Sequence, residues 1–240
     1  MRSHSEPILL KLSGEMLGGI EKPINIPLAK EIVEAIKEVK DRKPMFKLGI
    51  VVGGGNIVRG RDLIPQGVSK QAAHFSGMLA TIMNANHLYD LLIEGGVSAK
   101  LATPFSFGEY HGLFDKSAVR EHLANGTVLV FGGGIGFTDV STDTAAVHRA
   151  GDIGSRVVLK ATDVDGVYDR DPSEKDRRFL AKVTYEEFIA QELGIVDHEA
   201  IMRAKDHDVE IRVFHGFEEG NIARALRGED IGSVISAKAA

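Results

Sequence analysis

The fold of this chain is predicted most directly from one segment, Val158-Leu-Lys-Ala-Thr-Asp-Val-Asp-Gly-Val-Tyr-Asp-Arg-Asp-Pro172. The segment begins as an apolar run that contains one lysine, and it continues into a loop that holds several carboxylates and a turn glycine. In open α/β sheets, ligands bind in the crevice beyond the carboxyl ends of the strands. The segment is therefore typical of a buried strand that ends at a nucleotide-binding loop.

Apolar runs and helical patterns alternate along the rest of the chain. Most of the apolar runs are continuous, as expected for strands that are buried on both faces, so the pattern predicts an α/β fold with a mainly parallel sheet covered by helices. The predicted strands are Ile8–Leu12, Lys47–Val52, Ala99–Thr103, Thr127–Phe131, Arg156–Lys160, Glu210–Phe214 and Ser233–Ile235. The predicted helices are 27–42, 70–94 and 116–125, one that begins near Thr142, and one opened by a capping box at Thr184–Glu187.

Composition excludes several classes of protein. The 240 residues include no cysteine, which rules out disulfides, thiolate catalysis and cysteine-based zinc sites. The formal net charge of -5 argues against a nucleic-acid-binding surface. No apolar run approaches the roughly 18 residues of a membrane span, and the amino terminus lacks a signal peptide's apolar stretch. We therefore expect a cytoplasmic protein with no nucleic-acid or membrane partner. Because the sequence contains no linker-like stretch and no internal repeat, residues 1–240 are expected to form a single domain.

Two glycine triplets follow predicted strands, Gly53–Gly55 after the second and Gly132–Gly134 after the fourth. Neither completes the G-x-G-x-x-G dinucleotide pattern, and the chain has no P-loop motif. One triplet alone would indicate only a tight turn. Two triplets at the ends of buried strands favour phosphate binding, because glycines let backbone N–H groups approach phosphate oxygens without a Cβ atom in the way.

Lysines near the ends of two predicted strands, Lys11 and Lys160, are the candidate catalytic groups. A strand lysine is usually an edge residue that faces water. Beside glycine loops, however, an ammonium can stabilise charge that moves between phosphates, and phosphoryl transfer requires mainly such stabilisation and positioning. Asp143 either caps a helix or holds the two lysines in position, and the two interpretations are compatible. Arg59, just past the first triplet, is a candidate phosphate ligand.

Other chemistries find no support in the sequence. The histidines show no H-E-x-x-H spacing, so metal-dependent hydrolysis is not indicated, and no G-x-S-x-G nucleophile elbow occurs. The loop aspartates Asp163, Asp165, Asp169 and Asp171 could bind Mg²⁺, but loop aspartates more often bond to nearby backbone. We therefore leave the metal ligands unassigned.

Five segments together carry a family resemblance. They are Leu10-Lys-Leu-Ser-Gly-Glu15, Val52-Gly-Gly-Gly-Asn-Ile-Val-Arg-Gly60, Gly77-Met-Leu-Ala-Thr-Ile-Met-Asn84, Ser141-Thr-Asp-Thr-Ala-Ala146 and Leu159-Lys-Ala-Thr-Asp-Val-Asp-Gly-Val-Tyr-Asp-Arg-Asp-Pro172. In this order, and over nearly the whole chain, they resemble the bacterial uridylate (UMP) kinases of the amino acid kinase superfamily. The third and fifth segments favour this branch over the carbamate, acetylglutamate and aspartate kinases.

The resemblance implies a three-layer α/β/α domain that phosphorylates UMP with ATP and Mg²⁺, in a homohexamer often regulated by GTP or UTP. Lys11 and Lys160 would stabilise the migrating phosphoryl group, with Asp143 orienting them. The residues implied at the ATP site are Lys11, Leu12, Ser13, Gly14, Gly55, Arg59, Thr162, Asp163, Tyr168 and Asp171. Those implied at the UMP site are Gly54, His74, Ile135, Gly136, Phe137, Thr138, Asp139, Val140, Ser141 and Thr142.

Two departures from the family pattern fall on the acceptor side. The family usually has aspartate at residue 74, where it binds the ribose hydroxyls of the acceptor, and this chain has His74. The family's acceptor loop usually reads Thr-Gly-Asn-Pro-Phe-Phe-Thr-Thr, whereas this chain has Ile135-Gly-Phe-Thr-Asp-Val-Ser-Thr142 and so gains Asp139. We hypothesise that Asp139 replaces the lost carboxylate; the alternative is a solvated turn residue. The segment Gly19–Ile24 also lacks the family's Gly-Phe-Gly pattern, which argues against GTP activation.

Two other functions fit parts of this pattern. The acceptor-side departures fit a kinase of the same superfamily that acts on another small phosphate or carboxylate compound. A non-catalytic nucleotide-binding regulator is the alternative from a different class of protein. The presence of Lys11, Lys160 and Asp143 argues against a regulator, because a sensor needs no lysines that act in a transition state.

Overall fold

The computed structural model describes residues 6–18, 23–107, 112–170, 174 and 176–238. These residues form a nine-stranded sheet and a small two-stranded sheet, with helices between the strands. The strands are β1 (Ile8–Leu12), β2 (Leu48–Val52), β3 (Ala99–Thr103), β4 (Gly112–Leu113), β5 (Val128–Phe131), β6 (Val157–Thr162), β7 (Val167–Tyr168), β8 (Phe179–Leu180), β9 (Lys182–Thr184), β10 (Glu210–His215) and β11 (Ser233–Ser236). The helices are α1 (Ile26–Arg42), α2 (Gly60–Leu63), α3 (Lys70–Glu94), α4 (Lys116–Ala124), α5 (Thr142–Ile153), α6 (Tyr185–Ala190), α7 (His198–His207) and α8 (Asn221–Arg227).

The large sheet runs in the order β4-β3-β5-β2-β1-β6-β10-β11-β9, and its neighbouring strands are parallel except for β10 and β11. Helices α1, α3 and α8 pack apolar side chains on one face, and α4, α5, α6 and α7 cover the other. This arrangement confirms the predicted three-layer α/β/α fold with a mainly parallel sheet. In the described ranges, no helix is both long enough and apolar enough to cross a membrane.

The predicted elements are largely confirmed. Each of the seven predicted strands lies within two residues of its expected bounds, and α3 has the predicted bounds. The capping box at the start of α6 forms with both of its hydrogen bonds. The sequence pattern does not predict α7 or α8. Helix α7 buries only Ala200, Ile201 and Ala204, so its apolar face is too small to stand out in a polar stretch.

A buried lysine outside the predicted site, Lys40, joins three parts of the fold. It lies near the end of α1 and is 9% exposed. Its Nζ donates to the carbonyl oxygens of Pro44, Phe46 and Gly126 at 2.5, 3.1 and 2.5 Å. All three donors of the ammonium thus have acceptors. Burial lowers the pKa of Lys40, and the three carbonyls offset part of the cost of holding a charge there.

We expect Lys40→Met to lower the free energy of unfolding by about 2–4 kcal/mol, because one buried and two partly buried carbonyls lose a charged donor. Urea denaturation of the variant and the parent protein measures this. Lys37→Met on the same helix is the control, since Lys37 forms an exposed pair with Asp41, and it should change stability by less than about 1 kcal/mol. Equal effects of the two substitutions would contradict the role given to Lys40.

Candidate active site

The carboxyl ends of β1, β2 and β6 meet the start of α5 and one side of α3 around a cleft of about 700 Å³. The three strands are neighbours in the sheet, so the loops that follow them emerge side by side. The volume falls within the range of small-molecule sites, and the position is the crevice in which open α/β sheets bind ligands. The lining consists of residues 11, 13–15, 52–55, 58–61, 74, 77, 78, 81, 134, 140–143, 160, 162, 194, 195 and 197.

Two lysines converge on one carboxylate at the floor of this cleft. Lys11 and Lys160 lie opposite each other in the parallel pair β1 and β6, and each is 7% exposed. Lys11 Nζ is 3.1 Å from Asp143 Oδ1, and Lys160 Nζ donates to Asp143 Oδ2. Lys160 also donates to the carbonyl oxygen of Ile195 at 2.5 Å. Because β1 is a central strand, the interpretation of Lys11 as a water-facing edge residue is wrong.

The electrostatics of the cluster favour a bound anion. Burial by itself would raise the pKa of Asp143, but Lys11 and Lys160 outweigh burial and hold this pKa below its ordinary value. Burial lowers the pKa of Lys160, the charge of Lys11 lowers it further, and Asp143 opposes both. With both lysines protonated the cluster carries one net positive charge in a largely desolvated place. Such a charge stabilises negative charge that develops on a transferring group.

The helix cap and the lysine-binding carboxylate are different residues. Ser141 is the N-cap of α5, and its Oγ accepts from the Thr144 N–H at 2.9 Å. Asp143 in the first turn therefore serves the lysines. Asp197, the N-cap of α7, supports this helix start because its carboxylate accepts from the hydroxyls of Ser141 and Thr144. Sequence reasoning missed Asp197, since it precedes a helix that the sequence pattern does not predict.

The two glycine loops need glycine for different reasons. In the first loop, a Cβ atom on Gly54 would lie 2.8 Å from the Cβ of Ala80, so α3 packs directly against the loop backbone. In the second loop, Gly133 and Gly134 have φ angles of 77° and 58°. Glycine adopts this left-handed conformation at little cost. Gly54 and Gly134 both line the cleft, so both loops reach the site.

Arg59 also reaches the cleft, where its Nη2 lies 2.6 Å from Glu15 Oε1. Burial tends to raise the pKa of Glu15, but hydrogen bonds from its own backbone and from Arg59, with the charges of Arg59 and Lys11, lower it overall. Both side chains are about half exposed, and such pairs are worth at most about 1 kcal/mol. A phosphate could therefore displace Glu15 from the guanidinium at little cost.

Of the residues implied at the ATP site, some line the cleft and others do not. The Leu12 side chain is fully buried in the core, so only its backbone can contact a ligand. Asp163 and Tyr168 lie beyond the end of β6 and do not line the cleft. Asp171 lies outside the described residues, as do residues 19–22 of the segment that lacks the family's glycine pattern. The residues of this group that line the cleft are Lys11, Ser13, Gly14, Gly55, Arg59 and Thr162.

On the acceptor side, His74 and Asp139 lie in contact. His74 Nε2 is 3.0 Å from Asp139 Oδ1, and the Asp139 N–H donates to His74 Nδ1 at 3.3 Å. Lys70 Nζ also lies 3.0 Å from Asp139 Oδ1. Asp139 has a φ of 66° and is about half exposed. The cleft is lined by Gly54, His74, Val140, Ser141 and Thr142, but not by residues 135–139.

The described residues contain no group of three or more histidine, aspartate or glutamate side chains arranged to hold a metal ion. The cleft carboxylates Glu15, Asp143 and Asp197 are each engaged by protein groups. In the part of the chain that the structure describes, the cleft therefore offers no dedicated metal cage.

A cleft that concentrates positive charge where three parallel strands end is suited to transferring a phosphoryl group between two bound substrates. The fold and this cleft define the chain as a small-molecule kinase. The amino acid kinase family model matches residues 6–215, and the chain belongs to that family.

Similarity to individual proteins indicates which members of the amino acid kinase family this chain resembles. The chain is 37% identical to a uridylate kinase from Rhodococcus jostii (strain RHA1) over 229 residues, which cover 95% of this chain and 94% of that protein. The crystal structure of UMP kinase from Bacillus anthracis superposes with a TM-score of 0.92 at 30% identity, over 98% of this chain and 97% of that one. The crystal structure of UMP kinase from Ureaplasma parvum superposes with a TM-score of 0.89 at 25% identity, over 98% of this chain and 100% of that one. The chain thus groups with the uridylate kinases of its family.

Proposed function

We propose that this protein is a nucleoside monophosphate kinase that transfers the γ-phosphoryl group of ATP to UMP, forming ADP and UDP. The observation that carries the proposal is the cluster of Lys11, Asp143 and Lys160 at the floor of the cleft, which residues of both glycine loops also line. Similarity to a uridylate kinase over 95% of the chain supports UMP as the acceptor.

In the proposed reaction, an oxygen of the UMP phosphate forms a bond to the γ-phosphorus of ATP as the bond from that phosphorus to the β,γ-bridging oxygen breaks. Negative charge accumulates on the oxygen that leaves with ADP. Lys11 and Lys160 reach the cleft from adjacent strands and stabilise this charge, while Asp143 holds the two ammonium groups close despite their repulsion. The protein's contribution is positioning and electrostatic stabilisation.

We propose that Mg²⁺ enters with ATP and is held by phosphate oxygens, because the cleft carboxylates are already engaged by protein groups. When bound, the ion would neutralise part of the phosphate charge. The residues of the chain that would hold the phosphates are Ser13, Gly14, Gly55 and Arg59, which line the cleft.

The acceptor is tested by measuring ADP release with UMP, CMP, carbamate and acetylglutamate, each at the same concentration of ATP and Mg²⁺. We expect ADP release to depend on UMP far more than on the other compounds. Preference for another acceptor would favour a different kinase of the same superfamily. ATP binding without ADP release for any of the acceptors would favour the non-catalytic regulator.

We propose that Asp139 accepts a hydrogen bond from a ribose hydroxyl of UMP and that His74 orients its carboxylate. Hydrogen bonds to charged groups are worth roughly 1.5–3 kcal/mol, so Asp139→Ala should raise the KM for UMP about tenfold to a hundredfold. The KM for ATP should change little. Steady-state rates at varied UMP and at varied ATP measure both constants.

The substitution His74→Asp supplies the control for this prediction. In the parent protein it should be neutral or mildly harmful, because Asp139 already lies beside residue 74 and two carboxylates repel each other. Combined with Asp139→Ala it should restore UMP binding. An unchanged KM for UMP in Asp139→Ala, together with no rescue by His74→Asp, would leave Asp139 as a solvated turn residue.

We propose a homohexamer, and an exposed stripe on α3 supports self-association. Phe75, Leu79 and Met83 are exposed large apolar residues, and their four-residue spacing places them along one side of the helix. A row of exposed apolar side chains along one side of a helix suits a protein interface better than contact with water. Regulation by UTP or GTP is a further proposal that rests on the family resemblance, although the missing Gly-Phe-Gly pattern at residues 19–24 argues against GTP as an activator.

A further inference from the structure

Arg149 of α5 is a buried arginine that the proposed mechanism does not use. It is 3% exposed, and its Nη1 donates to Asp152 Oδ2 at 3.1 Å. Its Nη2 donates to the carbonyl oxygen of Gly134 at 2.9 Å. The guanidinium carbon lies 3.9 Å from the ring centroid of Phe114 and 5.4 Å from that of Phe131. A carboxylate, a carbonyl and two aromatic rings therefore fix the orientation of this side chain.

The carbonyl that Arg149 holds belongs to Gly134, which directly precedes the acceptor-loop segment 135–142. From here on, the acceptor loop is taken to include Gly134 and spans residues 134–142. Three residues of this loop, Gly134, Gly136 and Asp139, have φ angles of 58°, 85° and 66°. Glycine adopts left-handed and right-handed conformations about equally readily, so local preference does not fix Gly134 and Gly136 in this one, and contacts with the rest of the protein hold the loop. The contacts described above hold Asp139 near the middle of the loop and Ser141 near its end. Arg149 holds its start.

Anchoring one carbonyl also fixes the N–H group on the same peptide. Because a trans peptide is planar, the Ile135 N–H points opposite to the Gly134 carbonyl. That carbonyl points toward the buried guanidinium of Arg149, so the N–H points away from it. Ile135 itself does not line the cleft, but Gly134, on the same peptide, does. Within the described part of the chain, the Ile135 N–H donates to no protein acceptor.

We infer that Arg149 is a positioning residue for the acceptor: it orients the Gly134–Ile135 peptide so that the Ile135 N–H is presented to the bound acceptor nucleotide. This inference rests on the proposed function, because it takes UMP to bind against the acceptor loop. Arg149 does not contact the substrate. It acts through the backbone that it holds.

The substitution Arg149→Lys tests this role. Lysine keeps a positive charge beside Asp152, but a compact ammonium cannot reproduce the planar fork that holds Asp152 and the Gly134 carbonyl together. We expect the KM for UMP to rise about tenfold to a hundredfold, as for the loss of a hydrogen bond to a charged group. The KM for ATP should change by less than about twofold, and kcat should fall less than the KM for UMP rises.

Lys116→Met is the matched control. Lys116 Nζ is 3.2 Å from Asp152 Oδ1, so this substitution also removes a partner of Asp152, but it leaves the Gly134 carbonyl untouched. Both KM values should stay near those of the parent. Ligand-induced shifts in Tm give a readout that is independent of activity: ATP should stabilise Arg149→Lys as it does the parent protein, and the shift with UMP should be greatly reduced.

An unchanged KM for UMP in Arg149→Lys would overturn the inference, and so would equal weakening of UMP and ATP, which would indicate a general structural role. If Arg149→Lys is less stable than the parent, the ratio of its UMP and ATP Tm shifts still decides between these outcomes. Failure of the proposed function has a different signature, because the unsubstituted protein would then show neither a Tm shift nor ADP release with UMP.

Discussion

Replacing Lys160 with methionine should lower kcat by roughly 10²–10³ while leaving the KM for ATP within about threefold of the parent value. The ammonium is buried and held in place by Asp143 and by the Ile195 carbonyl, so no reorganisation is needed as the phosphoryl group moves. Its attraction to the phosphates grows as charge accumulates on the leaving oxygen, and interactions that strengthen in the transition state raise kcat. Initial rates of ADP release at varied ATP concentration measure both constants.

Lys100→Met is the control for this prediction, because Lys100 is the exposed residue of the otherwise buried strand β3. It should leave both constants unchanged. Lys11→Met should behave like Lys160→Met, since the two lysines occupy paired positions on β1 and β6. Near-normal kcat with a raised KM for ATP would contradict a role in the transition state and would make the affected lysine a ligand of the bound substrate.

Asp143→Asn should damage the protein more broadly than either lysine substitution. Removing the carboxylate leaves Lys11 and Lys160 buried beside each other without the negative charge that both of them contact. Breaking a buried ion pair from one side typically costs about 3–5 kcal/mol of stability. We expect a loss of that size in urea denaturation, together with a fall in kcat, because the two ammonium groups would separate or lose a proton. Unchanged stability would show that the lysines do not depend on Asp143.

The pH dependence of stability gives a second readout for Asp143. Its pKa in the folded protein lies below the ordinary value of 3.8, because the two lysines outweigh the effect of burial. A carboxylate with a lowered pKa stabilises the fold fully above its unfolded pKa, and the contribution is lost as pH falls through the folded pKa. The stability difference between the parent protein and Asp143→Asn should therefore be largest near neutral pH and shrink below about pH 4.

The site residues that are best predicted from sequence are those that stand out within a short stretch of the chain. Lys11 and Lys160 are charged residues in apolar runs, and the glycine triplets follow strands directly. The pairing of β1 with β6 has no local signal, because about 150 residues separate the two strands and their adjacency depends on the topology of the whole sheet. The sequence therefore indicates which lysines are candidates, and the fold shows that they face one carboxylate.

Residues that act through long-range contacts are the ones that sequence reasoning misses. Arg149 lies in an ordinary helical pattern, and its importance depends on the Gly134 carbonyl, which only the folded loop brings to it. Asp197 is recognisable as a cap only once α7 is known. The contact of His74 with Asp139 is an intermediate case, since the sequence marks both residues as departures from the family pattern and the fold brings them together.

The most direct test of the proposed activity follows the phosphoryl group itself. The protein is incubated with ATP labelled at the γ-phosphorus, Mg²⁺ and UMP, and the nucleotides are separated. We predict that the label appears in the β-phosphate of UDP, and that Lys160→Met forms this product about 10²–10³ times more slowly. Label that remains in ATP, or that appears in inorganic phosphate without UDP, would contradict the proposal that this cleft transfers the γ-phosphoryl group of ATP to UMP.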